Sequence, residues 1–162
     1  MKTYPAIAIL EFKHIATGIY VTDAMVKQSP ISILKAGTVH NGKFLIMVGG
    51  SVASVEEAYH KGRSLFPEEL IDHVILPDVH PDLHDGILGK TGEAGAEAIG
   101  IIETQTVSCA VQSTDRALKE TDVDLAVIRL ADDLGGKAFS IFSGDLYEVE
   151  AAVEAAKQNA TH

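Results

Sequence analysis

Tryptophan is absent from this 162-residue chain, and aromatic residues make up only 6% of it. That leaves too few flat rings for a lectin-like or base-stacking surface. Cysteine occurs once, at Cys109, so no intrachain disulfide can form and the sequence reads as that of a reducing, cytoplasmic protein. Basic residues are scarce, with 13 Lys and Arg against 23 Asp and Glu and a formal charge of −10. Such a field repels a polyphosphate backbone or an anionic leaflet, so neither nucleic acid nor a membrane surface is an expected partner. Long apolar runs are missing as well: residues 6–10 are followed at once by Glu11, too short a stretch for a signal-peptide core or a spanning helix. The 46% hydrophobic content that remains is enough for a buried core and excludes disorder or a fibrous repeat.

The chain repeats itself. Ala8-Ile9-Leu10-Glu11 returns as Gly100-Ile101-Ile102-Glu103, and Asp23-Ala24-Met25-Val26-Lys27 returns as Asp115-Arg116-Ala117-Leu118-Lys119, both at an offset of 92. Further on, Gly42-Lys43 matches Gly136-Lys137 and Val55-Glu56 matches Val149-Glu150 at an offset of 94, so the second copy has gained two residues between these points. The predicted organisation is a first domain over 1–85, a Gly/Ala/Glu-rich linker over 86–96 and a second domain over 97–162.

Within each copy, helical and strand periodicities alternate in one order. An apolar strand opens it. A helix follows whose apolar face is Ile15, Gly18, Ile19, Thr22, Met25 and Val26 in the first copy, and Val107, Ala110, Val111, Thr114, Ala117 and Leu118 in the second. Two apolar runs hinged on a glycine loop predict a hairpin, over 31–39 and 43–48, then over 123–130 and 137–142. A second helix starts after Ser51 or Asp145, the latter forming a capping box with Glu148. The first copy adds a last strand over 70–76; the second ends without one. This β-α-β-β-α-β order predicts an α+β, sandwich-like fold of two tandem ferredoxin-like domains, each an antiparallel sheet with its helices on one face.

Several motifs invite a chemical reading. Gly86-Ile87-Leu88-Gly89-Lys90-Thr91 ends like a phosphate-binding loop, but His84 stands where the leading glycine is needed and no strand enters it, so it reads as linker. His73, His80 and His84 with Asp78, Asp82 and Asp85 have the right atoms for a divalent metal, yet Pro77 and Pro81 interrupt their spacing and favour a solvated connection. Cys109 falls inside a helix, as a small structural thiol. Glu11 and Glu103 recur at one position in both copies, which favours a structural pin over an acid/base pair. The loops His40-Asn41-Gly42 and Asp132-Asp133-Leu134-Gly135-Gly136 differ between otherwise matching copies, and function concentrates at such tips.

Taken together, Ile9-Leu10-Glu11, the helix ending Asp23-Ala24-Met25-Val26-Lys27, the glycine loop before Lys43, and Gly49-Gly50 ahead of a Val/Glu/Ala helix resemble the shell-forming domain of bacterial microcompartments. Present twice, the pattern resembles the tandem-domain, trimer-forming shell proteins, notably that of propanediol-utilisation compartments. The resemblance implies a non-catalytic protein of the cytoplasmic microcompartment shell. It implies a homotrimeric, pseudohexameric tile, packed beside other shell proteins in a layer, with a central pore for small metabolites. By position His40, Asn41, Gly42, Asp132, Asp133, Leu134, Gly135 and Gly136 match the pore loops, and Lys27 and Lys119 match the lysines where tiles meet.

This chain departs from its relatives at three places. In the propanediol relative the residue at the His40 position is a cysteine, three copies of which hold an iron–sulfur cluster; with imidazole there, that cluster is not expected. Three His40 side chains would instead offer a divalent-metal site on the trimer axis, or line a pore whose charge changes near neutral pH. Asp132 and Asp133 replace smaller or apolar residues, which favours cations and neutral metabolites over anions. Asp78 stands where single-domain relatives carry an arginine. A reading from another class is a tandem ferredoxin-like regulatory module binding a small ligand, and a third is a metalloenzyme using the cluster between His73 and Asp85.

Overall fold

The computed structural model describes residues 4–90, 92, 95 and 97–159. It falls into two compact units, Met1–Val79 and His80–His162.

The first unit runs β1 (Ala6–Phe12), α1 (Ile15–Gln28), β2 (Ser32–Val39), β3 (Lys43–Gly50), α2 (Val52–Leu65) and β4 (Leu70–Leu76). Its sheet has the order β2-β3-β1-β4, with every neighbouring pair antiparallel. Within it β1 pairs with β3 on one edge and β4 on the other, and all seven of its residues are buried. Because side chains alternate across a strand, Ala6, Ala8, Leu10 and Phe12 of β1 share a face with Phe44, Ile46 and Val48 of β3. Against that face pack Val21 and Met25 of α1 and Val55, Ala58 and Tyr59 of α2. Each fully buried large side chain contributes about 1.5–3 kcal/mol. As expected, Ser51 caps α2, its Oγ accepting from the Ser54 N–H at 3.3 Å.

Gly18 sets how closely α1 approaches the sheet. A Cβ built there would lie 2.6 Å from Cβ of Phe44 and overlap its ring. Gly18→Ala is therefore expected to destabilise the first unit by about 1–3 kcal/mol through overpacking, despite alanine's better helix propensity. Urea unfolding, read as a lowered midpoint, checks this.

The predicted apolar face of α1 is divided. Gly18, Val21 and Met25 are the buried positions of α1, whereas Ile15, Ile19 and Val26 are exposed. The helix thus has one face toward its sheet and a second, apolar face turned outward.

The second unit runs α3 (Pro81–Ile87), β5 (Ala98–Thr104), α4 (Val107–Glu120), β6 (Asp124–Leu130), β7 (Ala138–Gly144) and α5 (Leu146–Asn159). Its sheet has the order β5-β7-β6, again antiparallel. These strands correspond to β1, β3 and β2. Among the described residues no strand corresponds to β4. Thr106 caps α4 through the Cys109 N–H at 3.2 Å. Glu148, expected in a capping box with Asp145, accepts from the Asp122 N–H at 3.1 Å, tying α5 to the loop before β6.

The connection between the copies is more ordered than its prolines suggest. Pro81 begins a helix instead of breaking one, since a first-turn proline forfeits no helical hydrogen bond. A Cβ on Gly86 would sit 2.9 Å from Ile128 Cγ2 and 3.1 Å from Leu125 Cδ2, so α3 lies close against β6. Residues 80–85 accordingly go with the second unit and not the first, and Gly86 and Ile87, expected in the linker, are helical. Residues 91, 93, 94 and 96 of that linker lie outside the described residues.

Candidate functional site

The two hairpin tips carry the residues singled out above. In the first unit β2 and β3 are joined by the single turn His40–Gly42. Asn41 and Gly42 adopt left-handed φ values of 67° and 73°, which these two residue types tolerate best. His40, Asn41 and Gly42 are all exposed, so an imidazole is presented at the tip.

The second tip is longer and more firmly built. Ala131, Asp133, Gly135 and Gly136 all have left-handed φ. The turn is closed by hydrogen bonds from Ala131 N to Lys137 O at 2.9 Å, Leu134 N to Ala131 O at 3.1 Å and Lys137 N to Leu134 O at 3.1 Å. Asp132, Asp133 and Gly135 are exposed, Leu134 is half-buried, and Gly136 is buried. Gly136 thus shapes the loop, while the two carboxylates form its surface. Beside it Lys137 Nζ lies 2.7 Å from Glu103 Oε1 in an exposed ion pair.

The two lysines matched to tile edges are both paired with an aspartate one helical turn earlier. Lys27 meets Asp23 at 2.7 Å in the open. Lys119 meets Asp115 at 2.6 Å, and Asp115, which is buried, also accepts from the His80 N–H at 2.8 Å. Lys27 can leave its partner at little cost, whereas Lys119 is held by a carboxylate already fixed to the start of α3.

The histidine and carboxylate cluster is dispersed. His73 Nδ1 bonds the Tyr59 hydroxyl at 2.6 Å; burial pushes its pKa down, the Arg63 guanidinium adds to this, and Asp72 opposes it. His80 Nδ1 accepts from the Asp82 N–H at 3.3 Å at the head of α3. His84 is buried in α3 with Asp85 beside it at 3.5 Å. Lys90 draws the Asp85 carboxyl below its ordinary pKa through a 2.8 Å hydrogen bond. Among the described residues no three His, Cys, Asp or Glu side chains converge as a metal site, which removes the support for a metalloenzyme at that cluster. The glycine segment that ends like a phosphate loop is likewise occupied: Gly86 and Ile87 are helical and Lys90 is engaged with Asp85. Thr91 lies outside the described residues. Cys109 is a partly buried thiol in α4 and forms no disulfide.

A feature that the sequence did not reveal is the inequality of the two copies. On α1, Ile19 is 57% and Val26 40% exposed, while their counterparts on α4, Val111 and Leu118, are 0% and 4%. On the sheets the inequality reverses. Ile99 and Ile101 of β5 are 59% and 58% exposed, while Ile7 and Ile9 of β1 are 1% and 0%. The apolar patterns of the copies are alike, so nothing in the residues alone tells which copy is covered.

Comparison with known proteins decides the family. The model for the BMC domain matches twice, at residues 6–79 and 98–162. This chain belongs to the BMC domain family. Its BMC domains are the two units described above, less α3 and the segment that follows it. The bacterial microcompartment shell protein PduT of Citrobacter freundii is 37% identical over 155 residues, covering 96% of this chain and 84% of that protein. A solved structure of a microcompartment protein from Desulfitobacterium hafniense DCB superposes with a TM-score of 0.84 at 35% identity, covering 96% of this chain and 87% of that one. The fused permuted hexameric shell protein MSM0275 from the RMM microcompartment shares the fold, with a TM-score of 0.69 at 22% identity over 96% of this chain and 83% of its own. The BMC-domain chain is accordingly a structural component of a bacterial microcompartment shell and not an enzyme. No helix among the described residues is long and apolar enough to cross a membrane.

Proposed function

We propose that three copies of this protein, six BMC domains in all, close into a pseudohexameric tile of the microcompartment shell. The tile lies beside other shell proteins, with the hairpin tips around a central pore. The observation that carries this reading is the inequality of exposure between the copies. Each chain offers two unlike open surfaces, the outer face of α1 and the β5 face of the second unit. Each matches a surface that is covered in the other copy. Unlike complementary surfaces join head to tail, and such contacts make a closed ring when the rotation divides the circle. With two similar domains per chain, a six-domain ring needs three chains. Its formal charge would be three times −10, or −30, so cohesion must come from apolar faces and local ion pairs.

Around the axis the ring would place three His40 tips and, from Asp132 and Asp133, six carboxylates. That lining favours cations and neutral metabolites over anions. Three imidazoles related by the axis also suit a divalent metal with an open fourth position, where His40 supplies every protein ligand.

Solution mass and metal content, measured together on wild type and His40→Ala, test both parts. A trimer with about one metal per three chains, lost in the variant, is the expected result. A metal-free trimer would reduce the axis to an unmetallated pore, and a stable monomer at micromolar concentration would overturn the tile. No observation on the molecule favours the ligand-binding regulatory reading.

A further inference from the structure

The open β5 face is not wholly apolar. Glu103 shares it with Ile99 and Ile101; its side chain is 61% exposed and its Oε1 is held by Lys137 at 2.7 Å. The residue at the same place in the first copy, Glu11, is only 5% exposed. A carboxylate drawn that far from water persists only where hydrogen-bond donors meet it. The covered copy therefore indicates what the open one needs: Ile99, Ile101 and Glu103 await the environment of Ile7, Ile9 and Glu11, and the polar member must be matched.

The incoming α1 has donors to give. Its N-cap residue, His14, makes no side-chain bond to the helix, and its imidazole is paired with Glu69 instead. By contrast α4 is capped by Thr106. The first turn of α1 therefore keeps N–H groups for another acceptor, at the positive end of a 14-residue helix.

Resting on the trimeric reading, we infer that Glu103 is the polar determinant of the contact between copies, its carboxylate accepting from the first turn of α1 of a second copy. Lys137 stays on one oxygen and the helix N–H groups take the other. The pair gives the joint a fixed register along α1. Apolar contact between Ile19, Val26, Ile99 and Ile101 alone would leave that register loose, because such contact is non-directional.

The test uses the intact protein. Trimer dissociation is followed by mass photometry for wild type, Glu103→Ala, the isosteric Glu103→Gln and Ile19→Asp, with circular dichroism to check that dissociated chains stay folded. Amide hydrogen exchange is read at Ala16 and Thr17 in the assembled state. Glu103→Ala should weaken assembly about 10- to 100-fold, with Glu103→Gln between it and wild type. Exchange at Ala16 and Thr17 should quicken in the alanine variant even at concentrations that hold the trimer together. If Ile19→Asp gives monomers but both Glu103 variants assemble and exchange like wild type, the role of Glu103 is overturned and the tile survives. If Ile19→Asp leaves a wild-type trimer, the joint through α1 is itself wrong.

Discussion

Ile101→Asp is expected to turn the proposed trimer into folded monomers, the largest effect of any single substitution on this surface. In the isolated chain Ile101 is 58% exposed, so a carboxylate there stays in water and costs the domain little. In the ring the same carboxylate would be buried three times, once per joint. Each joint would lose the burial of an isoleucine, about 1.5–3 kcal/mol. It would also take in an unpaired charge next to Glu103, one strand residue pair away on the same face, at a further cost of several kcal/mol. A loss of that size per joint lowers association by more than about 1,000-fold. Light scattering at micromolar concentration should report the mass of one chain, with an unchanged circular dichroism spectrum. The matched substitution in the first copy behaves oppositely. Ile9 is fully buried within the single chain, so Ile9→Asp should unfold the protein instead of dissociating it. A trimeric Ile101→Asp would remove the β5 face from the assembly.

The contrast between Ile9 and Ile101 also marks where sequence reasoning stopped. The offset repeats and alternating periodicities carried the strand order and both helices per copy, because these depend on contacts inside one domain. Exposure is different: residues 15, 19 and 26 look like core by spacing, and only the packing of α1, with Val21 and Met25 turned to the sheet, shows that they face outward. An apolar stripe wider than one domain can bury is the sequence trace of an interface, but it reads the same in α1 and α4. The short helix at Pro81 is hard to read from sequence, since a proline interrupts a helix at most positions but starts one at the first turn. The left-handed conformations of Ala131 and Asp133 left little trace at all, since neither residue demands a positive φ.

Those conformations decide how the pore can be probed. Replacing Asp132 and Asp133 together by asparagine should abolish most of the preference for cations over anions while leaving the tile assembled. Asparagine is the right substitution because Asp133 has φ 59°, a conformation that asparagine accepts and alanine holds only at a cost of about 1–2 kcal/mol. The loop backbone is held by its own hydrogen bonds at Ala131, Leu134 and Lys137, which the isosteric asparagine leaves in place. Two residues on each of three chains remove six formal charges from one opening. At low ionic strength the wild-type tile in a planar bilayer under a potassium chloride gradient should show a cation-selective reversal potential. The double variant should bring it close to zero, a roughly tenfold fall in the permeability ratio. In about 1 M salt, where the screening length shrinks to about 3 Å, the two should converge. His40→Ala in the same experiment separates the imidazoles from the carboxylates: if selectivity belongs to the second tip, that variant keeps the cation preference. A reversal potential unchanged by the loss of all six carboxylates would place Asp132 and Asp133 away from the conducting path.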